Sequence, residues 1–107
     1  VRDVVFGLTG GAAEITGETI RDLIGGQFRV SIDDLCSRSR KRTIAFPRQM
    51  AMYLTRKFTN QSLADIGNIY NRDHSTVLHA IKTITREMSQ QASVRQQVEM
   101  LSAKLKR

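Results

Sequence analysis

Apolar residues in this chain recur at spacings of three and four in one segment after another, and no stretch alternates as a half-buried strand would. That pattern restricts the fold to an all-α bundle. Ile20, Leu23, Ile24 and Phe28 place a helix of two to three turns from Glu18, although Gly25 and Gly26 each cost it about 1 kcal/mol relative to alanine and leave its end open. Ser31 followed by Asp34 resembles a capping box that starts a short helix carrying Ile32 and Leu35. Pro47 suits the first position of a helix, where a missing N–H has no intrahelical partner to lose. A helix is therefore expected from Pro47 to about Phe58. On it Met50, Ala51, Leu54 and Phe58 form the core stripe, with Arg48, Gln49, Arg56 and Lys57 on other faces.

Two further helices come in quick succession. Ser62 can cap one of about eight residues bearing Leu63, Ile66 and Ile69 or Tyr70, and Asn71-Arg72-Asp73 then supplies a turn. Asp73 can cap the next, whose expected buried face is Val77, Leu78, Ile81, Ile84 and Met88 and whose first turn exposes His74, Ser75 and Thr76. After the polar break 89–93, Val94, Val98, Leu101 and Leu105 mark a terminal amphipathic helix.

Length and composition narrow the function classes. A chain of 107 residues supports one domain and leaves no room for a nucleotide-binding enzyme beside it. Residues 1–17 hold four glycines and no lasting periodicity, so they are expected to be a linker or the remnant of a preceding domain, with the folded domain in 18–107. No apolar run is long enough to span a membrane, and the N-terminus is too polar for a signal sequence, which predicts a cytoplasmic protein. One cysteine, Cys36, and two histidines, His74 and His79, cannot furnish four zinc ligands, so no metal is expected.

Charge is concentrated in the middle of the chain. Residues 1–34 carry three arginines against six acids, residues 65–107 carry seven basic residues against four acids, and residues 35–64 carry seven basic residues against none. Such a stretch attracts polyanions and gains affinity by releasing their counterions. A solvated surface would share this composition, so the charge acquires meaning only from the motif beside it.

Two helices of about eight and fifteen residues joined by a tight turn, the second opening on a polar turn, have the form of a helix-turn-helix. In such a unit the second helix offers its first residues to base edges in the major groove. Here these are Arg72, Asp73, His74, Ser75 and Thr76. Asp accepts from a cytosine amine, His and Ser donate or accept, and the Thr methyl packs on thymine. The plainer assignment makes Asp73 a cap and Ser75 and Thr76 an ordinary first turn. For His79, packing beside the core is the expected role. Asp73 and His74 do not make a catalytic dyad, because no nucleophile accompanies them and sequence neighbours on a helix do not face each other.

The run Asn71-Arg72-Asp73-His74-Ser75-Thr76-Val77-Leu78-His79-Ala80 resembles the signature of the bacterial replication-initiator family, DnaA, in its DNA-binding domain. Pro47-Arg48-Gln49-Met50-Ala51-Met52-Tyr53-Leu54 and Thr59 to Gly67 are similar to that family's upstream segments, so the likeness covers about Ile20 to Met88. It implies an all-helical domain that binds double-stranded DNA at A·T-rich boxes of the TTATNCACA type. By this resemblance Arg40 of the basic loop enters the minor groove, and Asp73, His74, Ser75 and Thr76 read the major groove. Lys41, Arg48, Gln49, Arg56, Asn60, Ser62, Leu63 and Arg72 are implied to contact phosphates, Leu63 through its backbone N–H. Ser75 replaces a threonine of some members and so lacks one methyl.

The family's initiators also carry an ATPase domain, whereas no G-x-x-x-x-G-K-[ST] loop occurs here. The chain is therefore expected to be one domain of a longer protein or a stand-alone relative, with no cofactor of its own. Two competing functions share the pattern. One is a transcriptional regulator of the same fold; the other is a protein-interaction adaptor that works through the stripe of Val94, Val98, Leu101 and Leu105.

Overall fold

The structure is a computed structural model describing residues 15–105, so most of the expected linker, residues 1–14, lies outside the described residues. Six helices run in order: α1 (Gly17–Phe28), α2 (Ile32–Leu35), α3 (Arg42–Phe58), α4 (Leu63–Tyr70), α5 (His74–Gln90) and α6 (Ala92–Leu105). All regular structure among the described residues is helical.

Helix α1 starts one residue before the expected boundary, with the Thr16 side chain accepting from the Thr19 N–H. It continues through Gly25 and Gly26 to Phe28, and Arg29 closes it in the left-handed conformation at φ 56°. Gly25 has a structural reason, since a Cβ there would come within 2.9 Å of the Val30 carbonyl oxygen, while one on Gly26 would meet nothing within 4 Å. Helix α2 is capped by Ser31 as expected; Leu35 is buried, but Ile32 stays exposed.

Helix α3 corrects the reading of Pro47. The helix begins at Arg42, five residues earlier, and Pro47 lies inside it. A proline there removes the bond its N–H would have made to the Thr43 carbonyl. Tertiary contacts to the extra turn offset that loss. Phe46 packs edge-on against Phe28 with ring centroids 6.0 Å apart. Arg42 lies 4.8 Å above the Phe46 ring and pairs with Glu87 of α5 at 3.2 Å. Phe28 and Glu87 are distant in sequence, so the spacing around Pro47 could not announce them.

Helix α3 forms the centre of the bundle and touches each of the other five. Its Met50, Ala51, Met52 and Leu54 are fully buried with Ile20 and Ile24 of α1, Ile66 and Tyr70 of α4, Val77 and Ile84 of α5, and Leu101 of α6. Burying each large side chain stabilises the fold by roughly 1.5–3 kcal/mol before entropy is counted. On α5 the buried line is Val77, Ala80, Thr83 and Ile84, with Ile81 and Met88 packed at its edge. Leu78, expected in the core, is 40% exposed. The break between α5 and α6 is a single residue, Gln91, and the stripe Val94, Val98, Leu101 and Leu105 packs inward. This stripe is spent on the core and leaves the adaptor reading without its surface.

Candidate nucleic-acid interface

The helix-turn-helix consists of α4, the turn Asn71–Asp73, and α5. At the start of α4, Ser62 accepts from the Asp65 N–H, and the Asp65 carboxylate accepts from the Ser62 N–H, completing a capping box. Asn71 ends α4 in the left-handed conformation at φ 57°, which asparagine tolerates better than most residues. The N–H groups of both Asn71 and Arg72 point to the Gly67 carbonyl. Gly67 is buried because the turn folds directly over it; a Cβ there would collide with the Arg72 carbonyl oxygen. The crossing of the two helices thus depends on a missing side chain.

Asp73 caps α5. Its Oδ1 accepts the Thr76 N–H and the Ser75 hydroxyl, each at 2.9 Å. Those two bonds, the backbone one foremost, hold the carboxyl down at about 2, against an ordinary value of 3.8. Asp73 is therefore an anion that fixes the first turn, while Oδ2 takes part in neither bond. No acid follows the cap within the first turn, so the Asp73 carboxylate is what offsets the positive end of α5. His74 and Ser75 stand exposed there, and Leu78, one turn on from His74, extends the same exposed face.

Two shallow concavities adjoin this turn and share Arg72 and Thr76. One lies between the basic loop and α5, lined by Arg40, Arg48, Gln49, Arg72, Thr76 and His79 among others. The other is lined by Arg38, Asn68, Asn71, Arg72, Asp73 and Thr76. Of the expected site residues, Arg40, Arg48, Gln49, Arg72, Asp73 and Thr76 are therefore brought together. Lys41 is the exposed residue immediately before α3, at its N-cap position. Arg56, Asn60, Ser62 and Leu63 form a separate group where α3 gives way to α4, and Arg56 donates there to the Gln61 carbonyl at 2.8 Å.

Three placements depart from expectation. His79 is exposed and lines the groove instead of packing beside the core. Its spacing of three from Thr76 puts the two on one helical face, a signal the sequence held. Arg38, to which the motif gives no role, lines the second concavity. Arg48, expected as a solvent-facing phosphate ligand, is only 6% exposed. Its Nε donates to the Leu35 carbonyl at 2.8 Å and its Nη2 to the Ser39 carbonyl at 3.0 Å. Burial, and then the neighbouring charge of Arg72, lower its pKa from the ordinary arginine value. Arg48 shares a face of α3 with Ala51 and Met52, and it is the Leu35 and Ser39 carbonyls, brought over that face from the preceding loop, that hold it inward.

Comparison with known proteins agrees with this arrangement. The family described as bacterial dnaA protein helix-turn-helix matches residues 17–84. The chain is 52% identical over 106 residues to the chromosomal replication initiator protein DnaA of Desulfotalea psychrophila, an alignment covering 99% of this chain and 22% of that protein. It is 40% identical to the protein of the same name from Desulfatibacillum aliphaticivorans, over 97% of this chain and 23% of the relative. The DnaA of Caldanaerobacter subterraneus is 38% identical over 99% of this chain and 23% of its own length. The chain thus spans somewhat over a fifth of the curated relatives it matches, and the matched part is a helix-turn-helix module, not a catalytic one. With its capped turn, its exposed first helical turn and its adjoining cationic loop, this chain belongs to the bacterial DnaA helix-turn-helix family.

Proposed function

We propose that this chain binds duplex DNA at A·T-rich boxes of a bacterial replication origin, with α5 in the major groove and Arg40 of the basic loop in the minor groove, and with no cofactor of its own. The observation that carries the reading is convergence. Arg40, from a loop, Arg72, from the turn, and Thr76, from the first turn of α5, border a single groove, with His74 and Ser75 exposed beside it. An exposed helix N-terminus and cations with no carboxylate partner among the described residues suit phosphates flanking a groove, while the hydroxyl and imidazole groups suit base edges. Exposed arginine on an extended loop suits the negative potential of a narrow A·T-rich minor groove.

Within this reading His74, Ser75 and Thr76 read bases, Asp73 offers Oδ2 to a cytosine amine, and Arg72, Gln49 and Lys41 contact phosphates. Arg56, Asn60, Ser62 and the Leu63 N–H serve a second stretch of backbone. The name shared by the relatives favours an origin over a promoter as the site of action.

The test is a titration of the chain against two labelled duplexes at stated near-physiological salt, one holding TTATCCACA and one a scramble. An affinity ratio of about a thousand or more supports sequence readout. A ratio near one with steep salt dependence reduces the function to non-specific phosphate binding, and absence of binding to either overturns the proposal.

A further inference from the structure

The loop between α2 and α3 projects its cations outward because its backbone is held inward. The carbonyls of Leu35, Ser37 and Ser39, every second residue, accept from buried or half-buried guanidinium groups. Arg48 takes Leu35 and Ser39, and Arg72 Nη2 takes Ser37 at 2.9 Å. The alternate residues Arg38 and Arg40 are both exposed. Serine bonds within the loop reinforce the same shape: the Ser39 N–H donates to Ser37 Oγ and the Lys41 N–H to Ser39 Oγ.

This arrangement is costly for the fold. Two like charges lie near each other, and none of their bonds reaches a carboxylate among the described residues. The buried Arg72 Nε has no hydrogen-bond partner among the described residues. Guanidinium groups buried without a counter-ion are destabilising unless their hydrogen bonds compensate, and an apolar side chain would pack α3 with less penalty. Arg72 also directly precedes the cap of α5, so through Ser37 it joins the loop to the recognition helix.

We infer that Arg48 and Arg72 are positioning residues for DNA readout: together they clamp the loop and set the spacing between Arg40 and the first turn of α5. This rests on the minor-groove reading of Arg40. Arg48 acts through the loop and not on phosphate, and its charge matters less than the two-pronged shape that spans Leu35 and Ser39.

Arg48→Lys tests the clamp, because one ammonium keeps the charge but cannot replace a guanidinium edge bridging two carbonyls four residues apart. In the free chain the variant is expected to exchange the amides of residues 36–41 roughly tenfold faster, with α3 and α5 keeping their protection. On the TTATCCACA duplex it is expected to lose roughly tenfold to a hundredfold in affinity. In an Arg40→Ala background the same change is expected to cost no more than about threefold, since coupled residues are not additive. Unchanged exchange in the loop overturns the clamp. Losses that multiply independently of Arg40 show Arg48 acting on DNA directly and overturn the positioning role. If Arg40→Ala alone is harmless while the loop still loosens, the minor-groove reading fails, and the positioning role fails with it. Should Arg48→Lys also lower protection in α3, Arg72→Gln, at a half-buried site, repeats the exchange measurement from the other end of the clamp.

Discussion

Two connections flank the same groove, and they are held in opposite ways. The turn between α4 and α5 is fixed by its own residues: Gly67 accepts its N–H groups, Asn71 supplies the left-handed step, and Asp73 caps α5. The loop between α2 and α3 draws its shape from afar, with Arg48 reaching back nine and thirteen residues and Arg72 reaching thirty-five. Cys36 adds a third distant tie, its thiol donating to the Ile69 carbonyl at 3.3 Å. A locally built turn presents base-reading groups in a stiff helical frame, whereas a loop held by distant side chains is adjustable at the sites that hold it. Substitution should therefore damage the turn through stability and the loop through specificity.

The largest effect is expected where the turn is tightest. Gly67→Ala sets a Cβ against the Arg72 carbonyl, backbone that cannot yield without moving α5, and should cost roughly 2–3 kcal/mol in chemical denaturation. On the reading face, His74→Ala should leave the fold intact and cost about 1–3 kcal/mol for the box with little change for scrambled DNA. An unchanged ratio between the two duplexes would remove His74 from the readers. Asn71→Val forces a β-branched residue into the left-handed region and should destabilise by about 1–2 kcal/mol, while Asn71→Gly should be tolerated.

Away from both connections, Gly26→Ala should raise stability by up to about 1 kcal/mol, and Gly25→Ala should not, because only a Cβ on Gly25 meets backbone. Equal gains at both glycines would contradict the close approach to Val30.

The gentlest probe is pH. Asp73 is held at about 2 when folded against 3.8 in its ordinary state, so its contribution is present above 3.8 and is lost as pH falls through about 2. The melting temperature of Asp73→Asn, which keeps a capping side chain but cannot titrate, should fall less steeply between those values than that of the parent. Parallel profiles would show that the cap does not depend on charge.

The contrast between the connections also explains which elements are legible in the sequence. The caps at Ser31, Ser62 and Asp73, the eight-residue α4 and the inward stripe of α6 all rest on residues within one or two turns of each other, and periodicity and capping rules find them all. The start of α3 escapes those rules, because Phe46 and Arg42 find their reasons in Phe28 and Glu87. Leu78 is misplaced by periodicity because an apolar residue beside a buried stripe takes its side from the packing angle of α5, which the repeat leaves free by about one residue.

By itself, then, the order of residues determined an all-helical chain, the location of its turn, the acid-free basic stretch and the signature across that turn, because each depends on neighbours along the chain or on composition alone. The tertiary structure alone decided which cations face outward. Arg38, Arg40 and Arg48 are alike in a sequence, and only the packing of α3 beneath the loop turns one guanidinium onto carbonyls and leaves the other two exposed. Hydrogen-bond geometry between segments distant in sequence selects among chemically equivalent side chains, and no local rule encodes that selection.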